Sequence, residues 1–214
     1  MPLELHPATE ADAHRAAEIE ALAYQPSPFN AILFPGPFPP EARDSRAAEL
    51  TTGMSEDATA RCFKVVDTDV EGEQKMIAFA KWHVYTDRAT SNTPRAFGPG
   101  CNVEACEMLF GGIDKLKESL MGNNPCVYLK HLHTDPKHQG RGAGTMLVQW
   151  GLEEAKKLGL VAYLESSEAG HSLYKKCGFR DVEHLEVDFS KWGATEMHNT
   201  WSMIYEPVGK STGS

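Results

Sequence analysis

The apolar positions change period several times along the chain, and each change marks an element. Residues 3–6 alternate briefly, as a short first strand does. Thr9 stands where a helix N-cap belongs, with Glu10 and Asp12 in the first turn, and an alanine-rich helix follows through Ile19 and Leu22 to about Tyr24. Residues 25–40 hold six prolines and one glycine among Phe29, Ile32, Leu33, Phe34 and Phe38, which excludes regular helix and predicts an apolar loop that packs on a neighbour. Pro39-Pro40-Glu41 opens a second helix to about Leu50. Residues 62–67 and 75–85 read as strands joined by a polar turn, a hairpin. Residues 86–125 form an insertion, loop-like over 88–102 and then helical over 103–121, weakened by Gly111-Gly112.

The sharpest switch of period lies between residues 126 and 159. Val127-Tyr128-Leu129-Lys130-His131-Leu132-His133 reads as a buried strand, and Asp135-Pro136 stops it. Strict alternation puts Tyr128, Lys130, Leu132 and Thr134 on one side and Leu129, His131 and His133 on the other. The loop Gln139-Gly140-Arg141-Gly142-Ala143-Gly144 comes next. From Thr145 onward, positions 147, 148, 151, 152, 155 and 158 recur at helical spacing, and Gly159 ends the helix. A strand at 161–166, a last pair of strands at 182–188 and 200–205, and a disordered tail at 209–214 complete a single domain over residues 1–208.

A strand that feeds a glycine-rich loop and then a helix is suited to a phosphate. The first helical turn has N–H groups without partners and partial positive charge, and glycines let a ligand approach them closely. Arg141 adds a positive charge beside them. An ATP-binding P-loop fails, because Gly144 is followed by Thr145-Met146 with no lysine. A dinucleotide fingerprint fits poorly: Glu165 is at a suitable distance, but counting from Gly140 or Gly142 the third glycine position holds Thr145 or Leu147.

Read as Thr134-x-Pro136-x-x-Gln139-x-x-Gly142-x-Gly144, the segment resembles the GCN5-related N-acetyltransferases, the GNAT superfamily. Leu173-Tyr174-Lys175-Lys176-Cys177-Gly178-Phe179 is similar to the second signature of that family, one helix and one strand downstream. The resemblance implies an α/β (α+β) GNAT fold with a mixed, mostly antiparallel sheet flanked by helices. It also implies acetyl transfer from acetyl-CoA to a primary amine by direct attack in a ternary complex, with no metal. The diphosphate would lie on the amides of Gly140, Arg141, Gly142, Ala143, Gly144 and Thr145, beside Gln139. The backbone of Leu132, His133 and Thr134 would pair with the pantetheine amides. Ser167 replaces the asparagine that most members carry seven residues before the tyrosine. Tyr174 would give a proton to the departing thiolate, since a phenol of pKa about 10 keeps its proton at neutral pH. Tyr128 stands where the family often has its base, and Glu165 is the alternative carboxylate. The loop at 25–40 would wall the acceptor pocket, and the insertion would cover the acceptor side. Cys177 reads as a small buried residue rather than a nucleophile.

Two rivals remain open at this stage. His131-x-His133-x-Asp135 has the spacing of a metal-dependent hydrolase, although Pro136 follows where that motif carries another histidine. A GNAT-like protein that binds acyl-CoA without turnover is the other.

Composition narrows the partners. A net charge of −9 disfavours nucleic acid and anionic membrane and leans toward a small cationic amine. No run is apolar enough to span a bilayer, and the first residues lack a secretory pattern. Five irregularly spaced cysteines read as reduced thiols, so a cytoplasmic protein, with the nucleus open, is expected as a monomer or homodimer.

Overall fold

A computed structural model of the chain describes residues 2–87 and 95–207. Seven strands, β1 (Leu3–Pro7), β2 (Ala60–Asp67), β3 (Met76–Tyr85), β4 (Cys126–Thr134), β5 (Val161–Ser167), β6 (Arg180–Val187) and β7 (His198–Tyr205), join in the order β1-β2-β3-β4-β5-β7-β6. Every pairing is antiparallel except β4 with β5. The helices are α1 (Ala13–Tyr24), α2 (Asn30–Leu33), α3 (Ala42–Ser55), α4 (Val103–Met121), α5 (Ala143–Leu158) and α6 (Glu168–Lys176). The expected mixed, mostly antiparallel sheet flanked by helices is the architecture found.

One face of the sheet carries α5 and α6. Leu147, Val148, Leu152 and Ala155 of α5 pack on Val65, Ile77, Ala80, Trp82, Val127 and Leu164, and this is the main core. On the other face α1 and α3 cover Met76 and Phe79, and the end of α4 covers Tyr128 and Tyr163 through Met121. On this face Tyr24 at the end of α1 meets His133, and Lys117 of α4 stands over the Tyr128 ring.

Several expectations are adjusted. Helix α3 runs on to Ser55, and the proline-rich loop contains the single turn α2. Helix α4 is unbroken through Gly111-Gly112, because buried Cys106 and Leu109 anchor it and Gly112 admits Leu185 (a Cβ there would lie 3.0 Å from the leucine Cδ2). Residues 209–214, expected to be a disordered tail, and residues 88–94 of the predicted loop lie outside the described residues.

The larger correction concerns β4. Trp82 opposes Leu129 while Lys81 opposes His131, so Lys130 is an extra residue that the partner strand does not match. Such a bulge reverses the side-chain alternation beyond it. Leu132 and Thr134 therefore join Val127 and Leu129 on the α5 side, where a Cβ at Gly144 would lie 3.7 Å from Leu132 and 3.9 Å from Thr134. His131 and His133 turn to the side of Tyr128 instead.

The seat of α5 depends on one glycine. A Cβ on Gly151 would come within 2.2 Å of the Trp82 ring, which is fully buried and donates its indole N–H to the Leu147 carbonyl at 3.2 Å. Alanine favours helix by about 1 kcal/mol over glycine, but forcing atoms into a filled core costs roughly 1–3 kcal/mol and more when nothing can move. Gly151→Ala is expected to lower stability by about 2 kcal/mol, a fall in Tm of roughly 4–8 °C for a chain of this size, read by thermal denaturation.

Candidate active site

The glycine loop is built as an open cradle. Gly140 and Gly142 have φ of 72° and 97°, and a Cβ on either would meet nothing within 4 Å, so the loop faces free space. Gly142 caps α5, whose first backbone bond runs from the Met146 N–H to the Gly142 carbonyl at 3.1 Å. Among the described residues the N–H groups of residues 140–145, Thr145 included, have no acceptor. The Gln139 amide reaches back to the Thr134 carbonyl at 3.4 Å. Arg141 carries a counter-ion: its guanidinium is paired with Asp67 at the end of β2 and touches His138 Nδ1 at 3.0 Å. That hydrogen bond holds the Asp67 carboxyl below the usual carboxylate range and shares the charge of Arg141 with it.

Beside the loop the sheet divides. Strand β4 pairs with β5 from Cys126↔Val161 to Leu129↔Leu164 and no further. Beyond that point Glu165, Ser166 and Ser167 pair only with Ser202, Trp201 and Thr200 of β7, and β4 pairs only with β3. The edge of Leu132, His133 and Thr134 toward β5 is thus unpaired, and a V opens there. Ser167, exposed, stands at the head of α6 without a side-chain capping bond.

Tyr174 reaches the V from α6. Its ring lies close over the helix backbone, because a Cβ on Gly170 would be 2.9 Å from it. The residue is 7% exposed, and its hydroxyl has no hydrogen-bond partner among the described residues. Burial and the nearby phenol of Tyr24 push the Tyr174 phenol above its ordinary range, so it stays protonated. Tyr24, at the end of α1, meets the imidazole of His133 edge-on at 5.1 Å. Half-buried Cys177 is pushed up by burial, which keeps it a thiol.

The remaining candidates lie on the opposite side of β4, around Tyr128. The Tyr128 hydroxyl donates to Glu165 Oε2 at 2.8 Å. Glu165 Oε1 is buried and has no partner, and burial raises this carboxyl above its ordinary value. Burial, with the neighbouring carboxylate, holds the Tyr128 proton tightly. His131 Nδ1 is likewise buried and unpartnered, and burial drives this imidazole well down. Lys117 of α4 and Lys130 stand over the Tyr128 ring, 4.2 Å and 5.7 Å from its centroid. Sequence reasoning missed Tyr24, Lys117 and Lys130. A lysine in the middle of an otherwise apolar strand was the available signal for the last.

The histidine pair does not extend to a metal set. Asp135 accepts from Arg15 of α1 at 2.6 Å and from the Lys137 N–H at 3.0 Å. Arg15, itself buried, also donates to the Met76 carbonyl at 3.1 Å. Among the described residues no group of three or more His, Cys, Asp or Glu is placed to hold a metal ion. Phe29 and Phe34 of the proline-rich loop pack on α4 and the last hairpin, while Phe38 stays exposed. With Trp192 and Gly193, Phe29 and Ile32 line a recess of about 280 Å³. No helix among the described residues is long and apolar enough to cross a membrane.

The chain has recognisable relatives. The model of the family described as "Acetyltransferase (GNAT) family" matches residues 33–179. A protein of Ajellomyces capsulatus named "Probable acyltransferase SID5" is 30% identical over 118 residues, covering 50% of this chain and 81% of that protein. Among solved structures, a histone acetyltransferase HPA2 and related acetyltransferase from Corynebacterium glutamicum superposes with a TM-score of 0.63 at 19% identity, covering 99% of both chains. Arabidopsis thaliana NAA60 in complex with acetyl-CoA superposes with a TM-score of 0.56 at 15% identity, covering 97% of this chain and 99% of that one.

Proposed function

Because the chain belongs to the acetyltransferase (GNAT) family, we propose that it transfers an acetyl group from acetyl-CoA to a primary amine by direct attack in a ternary complex. The observation that carries this reading is the run of acceptorless amides at 140–145 beside an unpaired strand edge at 132–134. Amides of the first kind bind a diphosphate, and an edge of the second kind pairs with a chain of amides such as pantetheine. The NAA60 structure with acetyl-CoA, which shares this fold, supports the same cofactor. In this reading residues 1–208 act as one domain, and no step calls for a metal.

The acceptor enters from the Tyr128 side of β4, and the thioester lies in the V. The amine must lose a proton before it attacks. Glu165 is the group that takes it, because burial raises its basicity while His131 is made a weaker base and Tyr128 keeps its own proton. Tyr128 positions the carboxylate through Oε2 and leaves Oε1 for the substrate. Tyr174 protonates the departing sulfur from the other side of the V.

Acetyl-CoA titration by calorimetry and thiol release over a mixed amine panel test the whole reading. Cofactor binding without thiol release for any amine would leave a binding protein, and neither would end the proposal. Glu165→Gln is expected to lower kcat/KM roughly 10²-fold and to flatten the acid limb of the pH–rate profile. That limb should lie above the ordinary glutamate range, near 4.3, in the direction of the raised carboxyl. The stability sign is opposite. A carboxyl raised by folding stabilises below its unfolded pKa, and this contribution is lost as pH rises through the folded value. The variant should therefore gain in Tm relative to the parent at neutral pH and not at pH 4.

A further inference from the structure

The charges around Tyr128 do not balance. Arg95 is paired with Asp114 at 2.9 Å, and Arg46 with Glu20 at 2.7 Å. Lys81 lies near Asp57, whose carboxylate is 3.4 Å from His83. What remains is Lys117, Lys130 and Glu165. Among the described residues neither lysine has a carboxylate within 4.0 Å, yet both ammonium groups stand over the ring of buried Tyr128. Cation–π attraction offsets part of their mutual repulsion but supplies no counter-charge. In a chain of net charge −9 this local surplus runs against the whole. Oxygen Oε1 of Glu165, buried and without a donor, lies in the same place.

An amine that docks its ammonium on Glu165 makes the imbalance larger, since the glutamate is then neutralised and two positive charges stay uncovered. A second, anionic group on the same molecule answers both demands at once. We infer that the acceptor is an amino acid or a similar amine that carries a carboxylate, its amine on Glu165 Oε1 and its carboxylate between Lys117 and Lys130. The inference rests on the acetyl-transfer reading and names the substrate class of that site. It replaces the lean toward a purely cationic amine, because a pocket responds to the charges that line it more than to the total charge of the chain. Burial has brought the Lys130 amine down to about 8, so it is still charged at neutral pH, and an anion bound beside it would raise it again.

Matched acceptors separate the outcomes: glycine against glycinamide, β-alanine against β-alaninamide, and lysine against cadaverine, each followed by thiol release from acetyl-CoA. The carboxylate member of each pair should have the higher kcat/KM, by roughly 10- to 100-fold, as a charge-assisted hydrogen bond provides. Lys117→Gln and Lys130→Gln should each cut that preference by about tenfold through the acceptor KM, with acetyl-CoA affinity by calorimetry unchanged. Lys117→Arg should keep it. Equal or better turnover of the amides and cadaverine would overturn the inference while acyl transfer stood. Thiol release with no member of any pair, from protein that binds acetyl-CoA, would overturn it, and the catalytic reading falls with it only if the mixed amine panel also gives none.

Discussion

Gly142→Asp should weaken acetyl-CoA binding by 10²-fold or more. The residue has φ of 97°, where an L side chain is strained, and its Cβ would point into the open space in front of the loop. A carboxylate there would accept from the free amides of residues 140–145 and repel the diphosphate from the same donors. Strain of about 1–3 kcal/mol is well below the stability of an ordinary domain, so the variant should stay folded. Gly142→Ala carries the same strain without the charge and serves as its partner in calorimetry. Equal affinity in the two variants would remove electrostatics from the account, and wild-type affinity in both would show that the loop is not the diphosphate site.

Tyr174→Phe should reduce turnover by roughly 10²-fold, the scale of a general-acid contribution, with acetyl-CoA affinity within a few-fold of the parent. The ring packs under Gly170 and against Phe179, and the hydroxyl has no partner to lose among the described residues. Stability should thus be nearly unchanged, which separates chemistry from packing in this variant. Steady-state rates with saturating amine decide it, and an unaltered kcat would exclude the phenol from the reaction.

The parts of the site that were legible in the sequence are those with a local signal. A switch from period 2 to 3.6, broken by glycines with positive φ, located β4, the loop and α5 to within two residues. Leu-Tyr-x-x-x-Gly-Phe located Tyr174. The bulge at Lys130 has no sequence mark of its own, since it exists only against β3, and so the sides of His131 and His133 were read in reverse. The counter-ion of Arg141 lies 74 residues away in Asp67, and Tyr24 and Lys117 arrive from helices whose placement only the packed sheet decides. Gly111-Gly112 misled for the same reason: propensity weakens a helix, and burial of its apolar side outweighs that.

The buried pair of Arg15 and Asp135 bears on where a shortened version of this protein can begin. The family profile starts at residue 33, and a laboratory working from it would trim everything before that point. Such a cut would strip away the guanidinium that answers Asp135 just ahead of the glycine loop, together with Tyr24 and the outermost strand. An uncompensated buried carboxylate is among the costliest defects a fold can carry. Residues ahead of the profile thus hold the fold together around Asp135, whatever the boundaries of the profile suggest.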